Sequence, residues 1–297
     1  MMDSIFNIKK MMKKNIIQYI FSIALLVFGI NACTSDDIKD DFEVPPHIVD
    51  TQKPEGSIRL MVYNVAVFNR DPNDPLNYQT IADMVNEKEA DVVCLNELDS
   101  LTTRTSKDYQ LEKFASIIGN WDFKYGSAMP YSGGSYGEGI ATKKKAVKKF
   151  SVPLPKGIGA EPRVLVVMEM EDFVIATTHL DHAVPEAHVD QVKVINETMA
   201  ELYGDSDKPV FLGGDLNAKP DSQTLALFKK NWTILSSLQP TFPSHRPTSC
   251  IDFILQYNNG VKCELLHAEV VKFFKSGNTA TASDHLPTIV DIKILGR

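Results

Sequence analysis

An α/β fold is what this 297-residue sequence predicts, and three features predict it. Short apolar runs rich in strand formers alternate with longer stretches whose apolar residues recur at helical spacing. Several of the short runs end in a carboxylate, a carboxamide or an imidazole. A hydrophobic content of 43% is enough for a large core. No repeat, low-complexity tract or linker follows residue 57, so a single domain spanning 57–297 is expected.

What precedes that domain reads as targeting. Lys9, Lys10, Lys13 and Lys14 lie ahead of an apolar run from Ile16 to Ile30, and Asn31-Ala32-Cys33 follows. A basic region, an apolar region and a small residue at the break make a secretory signal over residues 1–32. The run is short for a permanent transmembrane helix, and an uncleaved anchor is the alternative. Cys33 resembles the acylated first residue of a bacterial lipoprotein. Thr34-Ser35-Asp36-Asp37 is similar to the acidic signals that send such lipoproteins to the cell surface in some Gram-negative bacteria. Residues 33–56 are polar, acidic and Pro-bearing, as expected of a flexible tether. The expectation is an outer-membrane lipoprotein, periplasmic or surface-exposed, held to the membrane by lipid on Cys33.

The formal charge is −7, and without the basic signal it falls to about −10. A balance so acidic argues against a broad nucleic-acid footprint. With Cys33 lipidated, Cys94, Cys250 and Cys263 remain, an odd set that closes no disulfide framework. A hairpin at Asn258-Asn259-Gly260 would place Cys263 opposite residues near Ile254, out of register with Cys250.

The elements follow in order from Ser57. Ile58 to Asn64 alternates and is rich in strand formers. Tyr78, Ile81, Ala82 and Val85 share one face of a helix running to about Ala90. Asp91 to Leu95 is an apolar strand that delivers Asn96 and Glu97. Leu111, Phe114, Ala115 and Ile118 form a second helical face, with Gly119 as its stop. The Gly-rich stretch from 133 to 139 lacks the Lys-Ser/Thr ending of a nucleotide loop. Lys143, Lys144, Lys145, Lys148 and Lys149 read as a solvated hairpin face. Arg163 opens the strand Val164 to Met170, and Phe173 to Thr178 is the next strand, with His179 at its end. Val189, Val192, Ile195, Met199 and Leu202 line a long helix.

The strand after that helix organises the rest. Val210-Phe-Leu-Gly-Gly-Asp-Leu-Asn217 is an apolar run stopped by two glycines, then a carboxylate and a carboxamide two residues apart. Asp215 and Asn217 could bond only their own backbone, as such residues often do, or could serve chemistry at the mouth of a sheet. A short helix near Asp221 to Lys230 and a loop from Thr241 to Pro247 come next. Asp252 then interrupts a strand that otherwise reads as buried, so its carboxylate needs a partner. Asp284-His285 puts an acid beside an imidazole, on opposite faces of any extended chain. The alternating strand Thr288 to Leu295 closes the sequence.

Asn64, Glu97, His179, Asp215 with Asn217, Asp252, and Asp284 with His285, in that order, resemble the endonuclease/exonuclease/phosphatase superfamily. The matching text is Leu95-Asn-Glu-Leu98, Gly213-Gly-Asp-Leu-Asn217, Ile251-Asp-Phe-Ile254 and Ser283-Asp-His-Leu-Pro287. The resemblance covers residues 57 to 297. It implies a four-layer α/β sandwich, two packed mixed β-sheets flanked by helices, with the site where strand ends converge. It further implies hydrolysis of a phosphate ester by activated water with Mg²⁺, or Mn²⁺, as cofactor, and a monomer is expected. Glu97 resembles the main metal ligand, with Asn64 and Asp284 close to the metal. Asp215 resembles the residue that activates the water, and Asn217 the one that bonds the phosphate. Asp252 resembles the partner that orients His285 onto the scissile phosphate, and His179 the second histidine there.

Two positions are less settled by the resemblance. Related deoxyribonucleases carry a Glu that supports the first histidine, for which Glu138 is the one candidate. Arg163 falls where many members bind substrate with a basic residue, although a structural salt bridge would equally explain it. Two other readings compete with the whole. Thr178-His-Leu-Asp-His182 with His188 is similar to part of the metallo-β-lactamase signature, which implies a Zn hydrolase, but its first histidine is replaced by Thr177. A lipoprotein that only binds a phosphorylated ligand would need no base.

Overall fold

The computed structural model describes residues 52–297; the expected signal segment, Cys33 and nearly all of the expected tether lie outside the described residues. In chain order the elements are β1 (Ile58–Asn64), α1 (Tyr78–Glu87), β2 (Val92–Ser100), α2 (Gln110–Ile117), β3 (Asp122–Tyr131), β4 (Gly134–Thr142), β5 (Lys148–Leu154), β6 (Arg163–Glu169), β7 (Val174–Thr178), α3 (Ala187–Tyr203), β8 (Val210–Asp215), α4 (Gln223–Phe228), β9 (Trp232–Ile234), β10 (Asp252–Tyr257), β11 (Lys262–Val270), α5 (Thr279–Ala282) and β12 (Thr288–Gly296). They form two six-stranded sheets, ordered β11-β12-β1-β2-β4-β3 and β5-β6-β7-β8-β10-β9. Only β1 with β2 and β7 with β8 run parallel, so both sheets are mixed.

The apolar runs are continuous because both faces of the central strands are covered. Leu60 and Val62 of β1, Val92 and Cys94 of β2, Val164 and Val166 of β6 and Phe211 of β8 point into the layer between the sheets. Their neighbours Met61, Tyr63, Val93 and Leu95 point the other way, under α1 and α2. Leu165, Val167, Val210 and Leu212 do the same under α3 and α4. Four layers follow from this two-residue alternation. Gly213 is needed at the middle, since a Cβ there would lie 2.5 Å from Val62 of the opposite sheet.

A buried ion pair the sequence does not advertise joins the first and last strands. Arg59 donates from Nε and Nη2 to Asp291, 2.7 Å each, and from Nη1 to the Lys88 carbonyl. Removing one partner of so dry a pair costs about 3–5 kcal/mol.

Several expectations are corrected. The first helix ends at Glu87 rather than Ala90, and the one after Asn217 covers only Gln223–Phe228. Val189 and Leu202 of α3 are exposed, so its buried stripe is Val192, Ile195, Met199 and Tyr203. No hairpin forms at Asn258-Asn259-Gly260, because β10 and β11 belong to different sheets. The lysines divide between the sheets: Lys143 to Lys145 lie on the connection from one to the other, and Lys148 and Lys149 lie on the edge strand β5. His188 is buried, its ring between the Asp181 carbonyl and the Thr224 hydroxyl. Cys94, Cys250 and Cys263 are all free thiols. Among the described residues no helix is long and apolar enough to cross a membrane.

Candidate active site

One end of the sandwich opens into a cavity of about 480 Å³, and the polar residues at the strand ends converge on it. Asn64 ends β1 in register with Asn96 on β2. The β2 ladder then slips between Leu95 and Leu98, and Glu97 takes a φ of 59° inside that bulge. A bulge re-aims a side chain, and here it turns Glu97 into the cavity. From the other sheet β7 leads into His179, β8 ends at Asp215, and β10 begins with Asp252 directly opposite Asp215. Gly214 permits that approach: its φ is 154°, and a Cβ would collide with the Thr178 carbonyl oxygen.

His285 sits between two carboxylates. Its Nδ1 lies 2.9 Å from Asp252 Oδ2, and its Nε2 lies 3.5 Å from Asp215 Oδ2. The Thr241 hydroxyl donates to the same Asp252 oxygen at 2.5 Å, and the Phe242 ring packs on the imidazole with centroids 4.8 Å apart. Burial alone would lower the imidazole's pKa, but Asp252 and Asp215 outweigh it and carry His285 up to about 10. Burial, reinforced by Asp252, pushes the Asp215 carboxyl up to about 7.

The second histidine behaves oppositely. Asn217 donates its amide to His179 Nε2 at 2.8 Å, which requires a neutral ring with its proton on Nδ1. Burial, then the nearby Arg163 and His285, hold His179 well below the ordinary imidazole range. The Asn217 backbone N–H donates to Asp215 Oδ1 at 2.9 Å, so the self-bonding expected of such a loop is present alongside the contacts across the site.

Asn64 places its amide nitrogen between Glu97 Oε1, 3.0 Å, and Asp215 Oδ2, 3.2 Å, while its oxygen accepts from the Ala66 backbone. In this arrangement it tethers both carboxylates. Asp284 and His285 both face the cavity, contrary to the opposite faces of an extended strand, because residues 283–285 turn. Asp284 Oδ1 is buried without a protein partner. An orphaned carboxylate oxygen lining the same cavity as Glu97 fits a hard cation, which takes oxygen ligands.

Asn96 is the residue whose role the sequence leaves unmarked. Its Oδ1 accepts from the Asp215 backbone N–H at 2.8 Å, and its Nδ2 donates to Glu138 and to the Thr178 carbonyl. One side chain thus stitches the two sheets together beneath the site. Asn before Glu at the end of an apolar strand was the available signal. Glu138 bonds Asn96 and the Glu97 backbone rather than His179. Its Oε1 and His179 Nδ1 both lack partners, and burial raises Glu138 to about 8.

Arg163 lines the cavity from beneath, with Nη2 on Glu161 at 3.0 Å and with Nε and Nη1 unpartnered. Among the described residues two groups of side chains lie close enough together to hold a metal, Asp215 with Asp252 and His285, and Glu161 with Asp181 and His182. There the Asp181 carboxylate already accepts from three backbone N–H groups, those of Glu161, Ala183 and Val184. The partial His-x-Asp-His text is therefore a turn whose aspartate is satisfied by the backbone.

Comparison with known proteins agrees with this fold. The sequence model of the Endonuclease/Exonuclease/phosphatase family matches residues 61–285. A family protein of known structure from Bacteroides thetaiotaomicron is 21% identical, with a TM-score of 0.63, over 81% of this chain and 98% of its own. A mannosyl-6-phosphatase from the same organism is 20% identical, with a TM-score of 0.62, over 80% and 99%. The catalytic domain of human Nocturnin is 16% identical, with a TM-score of 0.59, over 82% and 99%. No curated protein matches the sequence.

Proposed function

Since the chain belongs to the endonuclease/exonuclease/phosphatase family, we propose that it is a Mg²⁺-dependent phosphoesterase working outside the cytoplasm, tethered by lipid on Cys33. The observation that carries the catalytic part is the Asp252–His285–Asp215 arrangement, a buried imidazole between two carboxylates at the mouth of a cavity. Glu97 and Asp284 would hold the cation, with Asn64 steadying Glu97. Bound there, Mg²⁺ supplies Lewis-acid polarisation of a phosphoryl oxygen and offsets its growing negative charge.

The chain's own residues then divide the work. Asp215, raised to about 7, takes a proton from the attacking water near neutral pH. Asn217 orients Asp215 through its backbone N–H, and its side-chain amide spends both donors on His179 and the Leu180 carbonyl, so it fixes the histidine rather than bonding the phosphate directly as the resemblance implied. His285 keeps its proton and donates a hydrogen bond to the phosphoryl group, whose charge grows in the transition state. Asp252 fixes the His285 ring so that Nε2 faces the substrate. His179, neutral and buried, holds Asn217 in place and borders the phosphate. Arg163 supplies donors from the cavity floor. The P–O ester bond breaks, the departing oxygen takes a proton from solvent to leave as the alcohol, phosphate remains, and Asp215 returns the proton it took from the attacking water to solvent.

The phosphatase named among the structural neighbours supports a phosphomonoester over a long polymer, as does the acidic surface. The test is hydrolysis of simple phosphomonoesters and phosphodiesters by purified protein with Mg²⁺, with Zn²⁺ and with chelator. Activity that needs Mg²⁺ and vanishes in chelator is expected. Undiminished hydrolysis in chelator would overturn the metal assignment. For the anchor, fatty-acid labelling in cells should be lost in Cys33→Ala, and a labelled Cys33→Ala protein would refute the tether.

A further inference from the structure

The cavity has a wall that hydrolysis does not use. Arg104 grips the fully buried Asp99 with two parallel bonds, Nε at 2.7 Å and Nη2 at 2.8 Å. The Thr102 and Thr105 hydroxyls add to the same carboxylate. The Arg104 guanidinium lies 4.2 Å from the Tyr131 ring centroid and 5.7 Å from that of Tyr136. Thr103 ties this turn to Ser132 through backbone and side chain, so the wall is a fixed unit. Arg104, Met129, Tyr131 and Tyr136 all line the same cavity as Glu97. Among the described residues Arg104 bonds through Nε and Nη2 and leaves Nη1 without a partner, and Tyr131 is 40% exposed.

Resting on the phosphoesterase reading, we infer that this wall receives the leaving group of the substrate, and that the leaving group is a neutral sugar ring. Charge is the first argument. Arg104 is matched by Asp99 and Arg163 by Glu161, so neither has an unpaired charge for a second anion. What Arg104 offers is a donor and a flat face, suited to hydroxyl oxygens. Shape is the second. A planar base is held best between parallel rings, but Tyr131 and Tyr136 are inclined by 53° with centroids 6.4 Å apart. One half-exposed aromatic face suits the C–H face of a pyranose, whose positive hydrogens meet the ring's negative quadrupole. Polar groups for the remaining hydroxyls, Glu161 and His182, line the same cavity.

The test compares glucose 6-phosphate, glycerol 3-phosphate and adenosine 5′-monophosphate as substrates for wild-type, Tyr131→Ala and Tyr131→Phe proteins. The wild type should prefer the hexose ester by about tenfold in kcat/KM. Tyr131→Ala should erase that preference, mainly through KM, and Tyr131→Phe should keep it. A preference that survives in Tyr131→Ala, or a wild type that favours the nucleotide, would overturn the inference. If the wild type hydrolyses none of the three, the phosphoesterase reading fails instead, and calorimetry decides the wall separately. Glucose 6-phosphate binding that Tyr131→Ala loses would support the wall, and no binding by wild type would refute it.

Discussion

Replacing Asp252 with Asn tests the centre of the proposed mechanism. The carboxylate gives His285 one charge-assisted hydrogen bond of 2.9 Å, an interaction that contributes about 1.5–3 kcal/mol. At about 1.4 kcal/mol per pH unit, its loss should bring His285 down from about 10 by roughly one to two units. The same carboxylate raises Asp215, so Asp215 should fall below about 7 as well. The rate rises as Asp215 loses its proton and falls as His285 loses its own, so both limbs of the pH–rate profile should move toward acid. Turnover should drop by about 10²-fold, the scale for disturbing a group that orients another. The fold should survive with a few degrees lost in Tm, because Asp252 Oδ1 has no partner and an amide nitrogen placed there would have none either. The assays are kcat/KM against pH and an NMR titration of His285. An alkaline limb that stays in place, or losses that simply add in the double variant with His285→Ala, would refute the pairing.

Three further outcomes are expected. Glu97→Ala should abolish Mg²⁺-dependent hydrolysis while leaving the thermal transition nearly in place; calorimetry with and without Mg²⁺ checks both halves. Glu138 is raised from 4.5 to about 8 in the fold, so its stabilisation is fully present below about 4.5 and is lost as pH rises through 8. Glu138→Gln should remove that decline, read as Tm against pH. Gly214→Ala combines a positive φ with a collision against Thr178, and should cost about 3 kcal/mol or more in urea unfolding.

The fold was legible where burial is two-sided. Runs such as Val210 to Leu212 or Val92 to Leu95 have apolar residues at every position because each face meets a layer, and continuous runs between amphipathic helices imply a covered sheet. What the sequence hides is which sheet a strand joins. β10 and β11 follow one another across a turn-like Asn-Asn-Gly, yet they pair in different sheets, and no local pattern records that choice. The convergence of the candidate residues was legible in part, because a carboxylate in an apolar strand is costly without a partner and the resemblance named that partner; Asp252 and His285 meet across 33 positions. Asn96, Thr241 and Arg104 were hidden for the opposite reason. A neutral amide, a hydroxyl and a half-exposed arginine are ordinary anywhere, and only their neighbours make them matter. Arg163 shows both of the characters its position allowed, a salt bridge to Glu161 and unpartnered donors at the cavity floor.

The pairing of β1 with β12 sets an order of assembly. β1 carries Asn64 into the site and lies between β2 and β12, and Arg59 finds Asp291 only 232 positions later. A chain still emerging from the ribosome therefore holds its first strand with one edge open and Arg59 able to reach only nearer partners such as the Lys88 carbonyl. Contacts of such long range form slowly. Asn64 on the first strand acquires its final geometry only when the last strand slots in beside it, so partial chains should be inert however well their helices form.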